Sequence, residues 1–210
     1  MPATPPEPAD TAESSSTPTT SPDAPVRHNL AGFTGAGYNK GRGALWQVLW
    51  LFVSGLIVTR WWLPISVRNS ILRAFGASIG SGVLIRHRVR IHWPWKLTVG
   101  DNTWIGEDTW ILNLEPVTIG SDVCISQGVL LCTGSHLRRS PTFEFDNAPI
   151  VVDDGAWVAA RATVLRGTHV GADSVVGATA LVVSDVPAGA VVLAPRSTDN
   201  SSRSQRSDQA

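Results

Sequence analysis

The stretch Thr133-Gly-Ser-His136-Leu-Arg-Arg-Ser140 holds the residues of this 210-residue chain whose types and spacing could do chemistry. An imidazole with a pKa near 6.5 can take the proton of a hydroxyl as its oxygen attacks a carbonyl, which contributes roughly 10²–10⁴-fold in rate. A loop histidine standing alone is more often a solvated side chain. Arg138 and Arg139, beside it, could draw in a phosphate or an anionic glycan, or simply face water. Cys132 lies four residues earlier and reads as a packing residue, as does Cys124, rather than as a nucleophile. The two cysteines form no CxxC pair and sit near no histidine cluster, so a metal knuckle or a disulfide-stapled secreted domain is excluded and a reducing, cytoplasmic setting suits the chain.

What must position these residues is a ladder. Ile79, Ile85 and Ile91 recur every six residues, as do Val99, Ile105 and Ile111, then Ile119, Ile125 and Leu131. The steps 91 to 99 and 111 to 119 are two residues longer and read as corner insertions. After one interruption, Val152, Val158, Val164, Val170, Val176 and Val182 continue in register. Position two of the hexads is often Gly, and position five is small or β-branched. Such a pattern predicts a triangular parallel β-helix in which each hexad supplies a short strand and a corner. Three hexads make a coil of about 18 residues, with the aliphatics inside and the coils stacked at ~4.8 Å. The reading is all-β over 79–195, about five to six coils. The interruption at 133–149 is a loop extruded from a rigid prism, where function is most often carried.

Upstream, residues 44–63 form the most apolar segment. Sixteen uncharged residues precede Arg60, and Trp46, Trp50, Trp61 and Trp62 lie within it. A spanning helix wants ~20 apolar residues, so this segment reads as a cap or an interfacial helix rather than a span. Periodicity predicts a second short helix over 66–75 with Val67, Ile71, Leu72 and Phe75 on one face. Residues 29–78 are thus a helical cap. The segments 1–28 and 196–210 are polar and rich in Pro, Ser and Thr, and read as disordered tails. Seventeen basic and seventeen acidic residues cancel, which argues against nucleic-acid binding.

The ladder resembles the hexapeptide-repeat acyltransferases. Within them the chain is similar to the colanic-acid-biosynthesis acetyltransferase group, through Asn29-Leu-Ala-Gly-Phe-Thr34, Leu72-Arg-Ala-Phe-Gly-Ala77, Trp93-Pro-Trp95 and above all Ile125-Ser-Gln-Gly-Val-Leu-Leu-Cys-Thr-Gly-Ser-His136. The resemblance implies a left-handed β-helix, a homotrimer with sites between subunits, and acetyl transfer from acetyl-CoA to a hydroxyl of a saccharide such as an exopolysaccharide precursor. It assigns His136 as general base, in a direct transfer with no acyl-enzyme; Ser135 and Arg138, flanking that base in the loop, are expected to bind the acceptor. Asn113 matches a residue near the acceptor hydroxyl, since an amide both donates and accepts; it reads almost equally as a corner Asn in a left-handed conformation. Trp157 matches an aromatic flanking the pantetheine arm, or sits at a trimer contact. Ala160 and Ala178 fall where coenzyme A runs.

The chain departs from the pattern twice. Leu137 stands where relatives usually carry an acid, and Val192-Leu-Ala-Pro-Arg196 replaces the usual ending that serves the adenosine. Both departures favour a second reading, a β-helix scaffold with weakened catalysis. A metal site of the kind found in β-helical carbonic anhydrases would use His87 and His92, but upstream only His28 could complete it, so no metal is expected. The apolar segment 44–63 is expected to dock near lipid-linked glycans at a membrane.

Overall fold

The computed structural model describes residues 26–195. Its first coil contains β1 (Ser78–Ile79), β2 (Leu84–Ile85) and β3 (Arg90–Ile91), and the second β4 (Leu97–Val99), β5 (Trp104–Ile105) and β6 (Trp110–Leu112). The third contains β7 (Val117–Ile119), β8 (Cys124–Ile125) and β9 (Leu130–Cys132), and the fourth β10 (Ile150–Val152), β11 (Trp157–Val158) and β12 (Thr163–Leu165). β13 (His169–Val170), β14 (Val175–Val176) and β15 (Leu181–Val182) make the fifth, and β16 (Val191–Val192) begins another. Every third strand pairs in parallel, which gives three flat sheets and a solenoid. Ile79 pairs with Val99, Val99 with Ile119, Ile119 with Val152 and Val152 with Val170, so the hexad register is the structural register.

All fifteen ladder aliphatics are buried inside the prism, and the position-five residues, including Thr103, Thr109, Thr168 and Ser174, are buried with them. Fully burying such a side chain is worth about 1.5–3 kcal/mol, and this column is the source of the fold's cohesion. The position-two glycines answer to stacking rather than to an unusual backbone. Gly100 is not in the left-handed region, but a Cβ there would lie 2.5 Å from the backbone carbon of Gly120 in the next coil. The left-handed residues fall at position four instead, where Asn102, Asp108, Asp122 and Asp173 sit. Short polar side chains tolerate that conformation best after glycine.

The cap closes the open end of the prism. In this solenoid the strand N–H groups of each coil point to the coil that follows, as Gly80 N does to Val99 O and Leu84 N to Thr103 O. The strands of the first coil therefore present carbonyl oxygens to the cap, each costly if left bare, while at one corner Arg88 N donates to Thr59 O of the cap at 2.9 Å. Helix α1 (Ala44–Val53), a π-helical turn (Ser54–Val58) and α2 (Ile65–Ala74) lie against it and supply donors. Trp50 Nε1 donates to Ile91 O and His92 O, Asn69 Nδ2 to Val83 O at 2.8 Å, and Arg73 Nε to Ile79 O at 2.9 Å. Arg68 donates to Ile85 O, Val58 O and Arg60 O, each at 2.8 Å. Only 2% of Arg68 is exposed, and burial, with Arg86 nearby, lowers its pKa. Of the face read from periodicity, Leu72 and Phe75 are buried and Ile71 packs against the core, and only Val67 departs from it. Val67 is exposed, while Arg68, Asn69 and Leu72 are the buried residues of α2, because what α2 covers is an edge of acceptors as well as a core.

The tails expected at 1–28 and 196–210 lie outside the described residues, apart from 26–28. These depart from the expectation. His28 Nδ1 lies 3.1 Å from Ser140 O, and its ring contacts Phe143 at 4.7 Å.

Candidate active site

One corner of the prism, between the third strand of each coil and the first strand of the next, carries every insertion. It holds residues 92–96, then 113–116, then the long excursion 133–149. The excursion is a hairpin. Leu137 N donates to Glu144 O at 2.8 Å, Asp146 N to Ser135 O at 2.8 Å, and His136 bridges Phe145 across it. Its base is tied to the prism by Ala148 N to Thr133 O at 3.1 Å and Gly167 N to Pro149 O at 2.9 Å. An ion pair from Arg166 in the next coil to Asp146 adds a further tie.

His136 stands on one face of this hairpin. Its ring stacks on Phe143 at 4.2 Å and on Phe145 at 5.1 Å, and Phe33 meets its edge at 5.7 Å. Nδ1 lies 2.7 Å from the carbonyl oxygen of Phe143. A carbonyl can only accept, so this bond requires the proton on Nδ1 and leaves the lone pair on Nε2. A backbone carbonyl, that of Phe143, is thus the group that orients the imidazole.

The chain before α1 wraps the hairpin. Asn29 N donates to Pro141 O at 2.7 Å, and Tyr38 packs on Phe145 at 5.0 Å. Trp93 Nε1 donates to Tyr38 Oη at 2.6 Å, and burial raises the phenol's pKa. Phe33, Tyr38, Phe143 and Phe145 were not legible as site residues. The alternation of Phe143 and Phe145 around Glu144 is the one sequence signal that could have placed two of them on a single hairpin face.

Ser135, His136, Arg138, Arg139 and Arg166 line one open groove of about 690 Å³, with Asp146 on its wall. Ala160 and Ala178 come together with Gln127, Gly128 and Arg161 in a second groove of about 580 Å³, at the corner between the second and third strands. Trp157 stands half-exposed on the outer face of the second sheet, paired with Cys124 and Val175, and its Nε1 donates to Ser126 Oγ at 3.0 Å. Asn113 departs from the place expected for an acceptor ligand. It is fully buried, its Oδ1 accepts from Trp93 N at 2.9 Å and its Nδ2 donates to Trp93 O at 2.6 Å, so it ties two successive corners together. Nor is Asn113 left-handed. Both cysteines are free thiols, and Cys132 Sγ donates to Gly134 O at 3.4 Å. Among the described residues no three metal-ligating side chains converge.

No family model matches the chain. It is 39% identical over 166 residues to the Escherichia coli K12 chain named as the colanic acid biosynthesis acetyltransferase WcaF, covering 78% of this chain and 90% of that one. The chain belongs to the hexapeptide-repeat acetyltransferase family. The family includes the galactoside O-acetyltransferase of Escherichia coli K12, 26% identical over 129 residues, which span 59% of this chain and 63% of that one. Among solved structures, a hexapeptide-repeat-containing acetyltransferase of Vibrio cholerae superposes with a TM-score of 0.65 at 26% identity, covering 75% of this chain and 95% of that chain. The solenoid with its helical cap is thus the scaffold of an acetyltransferase.

Proposed function

We propose that the chain transfers an acetyl group from acetyl-CoA to a hydroxyl of a saccharide, with His136 as general base. One observation carries this reading: the Nδ1 contact to Phe143 O leaves the Nε2 lone pair on a ring held by three phenylalanines. Nε2 takes the hydroxyl proton as the oxygen attacks the thioester carbonyl. The tetrahedral oxyanion then collapses, expelling the thiolate of coenzyme A, which recovers the proton from the imidazolium. Backbone N–H groups stabilise the oxyanion, and no acyl-enzyme forms. Ser135 and Arg138 border the same groove and hold the acceptor.

The acceptor class is supported by the names of relatives, a galactoside O-acetyltransferase and a lipopolysaccharide biosynthesis O-acetyl transferase of Escherichia coli K12. For the donor, the Vibrio cholerae neighbour has also been crystallised with acetyl coenzyme A. Coenzyme A runs past Trp157 along the groove of Ala160 and Ala178. That groove and the His136 groove occupy different edges of one prism. This separation supports a homotrimer in which the edge of one copy meets the edge of the next. Two unpaired cysteines suit a reducing, cytoplasmic setting.

The test is turnover of acetyl-CoA over a panel of saccharide acceptors by wild type and His136→Ala. Loss of about 10²-fold or more in kcat, with coenzyme A binding retained by calorimetry, is the expected result. Equal background hydrolysis in both proteins, with no binding of coenzyme A, would leave a scaffold and sink the enzyme.

A further inference from the structure

The cap that closes the prism turns an uncovered apolar face outward. α1 buries only Trp50. Leu45 is 85% exposed, Phe52 64%, Leu56 59% and Trp61 78%, and Leu49 and Trp62 stand out beside them. A helix apolar on nearly every side belongs in a core or in lipid, and this one lies outside the core. The run from Ala44 to Val58 is about 22 Å long at helical rise, short of the ~30 Å hydrocarbon layer. No described helix is long and apolar enough to cross a membrane.

At the end of this face, Trp61 and Trp62 overhang a pocket of about 420 Å³ that Arg68, Arg86 and His87 also line. Its charge is unbalanced. Arg68 is held by three carbonyls, whereas Arg86 shares the carboxylate of Glu107, which His87 also faces at 3.5 Å. Arg68 thus has carbonyl partners but no carboxylate, and Arg86 and His87 share the single carboxylate of Glu107, at a pocket that two exposed indoles line. Indoles favour the headgroup level of a bilayer, and guanidinium is suited to phosphate.

We infer that the cap docks on an anionic phospholipid bilayer, with α1 lying in the plane of the interface. Leu45, Leu49, Phe52 and Leu56 enter the acyl boundary, and the pocket of Arg68, Arg86 and His87 takes lipid phosphate. A second copy of the chain fits less well. Pairing this face with itself brings two pockets of net positive charge together with no added carboxylate, whereas a bilayer supplies hydrocarbon and anion at matching depths. The inference is independent of the role of His136.

Flotation of the full chain with phosphatidylcholine vesicles, with and without phosphatidylglycerol, tests it. The wild type is expected to float with anionic vesicles and to bind them about tenfold or more tightly than zwitterionic ones. Leu49→Glu/Phe52→Glu, at exposed positions, is expected to abolish flotation with an unchanged melting temperature. Arg86→Ala/His87→Ala is expected to erase the preference for phosphatidylglycerol. Three results would overturn the inference: wild type that stays unbound to both vesicles, a Leu49/Phe52 variant that floats like wild type, or equal affinity for the two compositions. A Leu49/Phe52 variant that dissociates to a smaller oligomer in sedimentation would assign the face to a second copy instead.

Discussion

His136 Nδ1 and the carbonyl oxygen of Phe143 stand 2.7 Å apart across the hairpin that leaves the third coil. The contact is seven residues local in sequence, yet it decides which ring nitrogen keeps its lone pair. Phe143 reaches that position with a left-handed backbone, φ 55°, which is uncommon for a bulky residue. The imidazole is then fixed in orientation by stacking on Phe143 and Phe145.

Loss of that stacking should therefore act on the chemical step. Phe145→Ala is expected to lower kcat by about 10- to 100-fold by loosening the ring, with a small change in KM for acetyl-CoA. Phe145→Leu should recover part of the loss. Steady-state kinetics on an acceptor turned over by the wild type would show this, and an equal rise in KM with kcat unchanged would contradict it.

Arg68 is the donor that three carbonyls share at the closed end of the prism. Arg68→Met keeps the bulk and removes every donor, leaving buried acceptors that cost ~1–3 kcal/mol each. A loss of about 3 kcal/mol is expected, or a fall of ~6–12 °C in melting temperature for a chain of this size. Calorimetric unfolding measures it, and a fall no larger than that of an exposed control such as Val67→Ala would show that the cap holds without it.

Asn113 should behave as a structural bridge. Asn113→Ala leaves the buried N–H of Trp93 without a partner and its carbonyl with Lys96 N alone, at about 1–3 kcal/mol. Stability should fall while KM for the acceptor stays near wild type. A variant of unchanged melting temperature with acceptor KM raised severalfold would restore the role first expected for it.

Acidification should weaken the fold through His92. Burial, then Lys40 and Lys96, lower its pKa in the folded chain below the ordinary value near 6.5. A histidine depressed in this way binds fewer protons folded than unfolded, so its contribution is whole above pH ~6.5 and is lost as pH falls toward the folded value. Thermal unfolding at a series of pH values should show a smaller acid loss for His92→Gln than for the wild type. Parallel curves for the two proteins would remove His92 as the source.

The hexad phase was legible in the chain because a prism with a period-six interior repeats one environment, and all fifteen ladder positions from Ile79 to Val182 are buried despite two corner insertions and one long interruption. Sequence also marked 133–149 as an interruption of the ladder, which the structure forms as a hairpin carrying His136. It placed α2 and the burial of Leu72 and Phe75 but not that of Arg68 and Asn69, since the acceptors these two satisfy, Ile85 O and Val83 O, lie in the first coil. It misjudged Asn113 for a similar reason: the partner of its amide, Trp93, sits one coil away.

Sequence by itself thus determined the solenoid, its register and the position of its interruption, because each rests on local spacing. Only the tertiary structure decided which polar groups are free. Stacking the coils assigned Arg68 and Asn113 to backbone partners, drew Phe33 and Tyr38 from far upstream onto the hairpin, and left Nε2 of His136 with its lone pair. Hydrogen-bond partners are settled by proximity in space, and in this chain the decisive ones are contributed by other coils and by the cap.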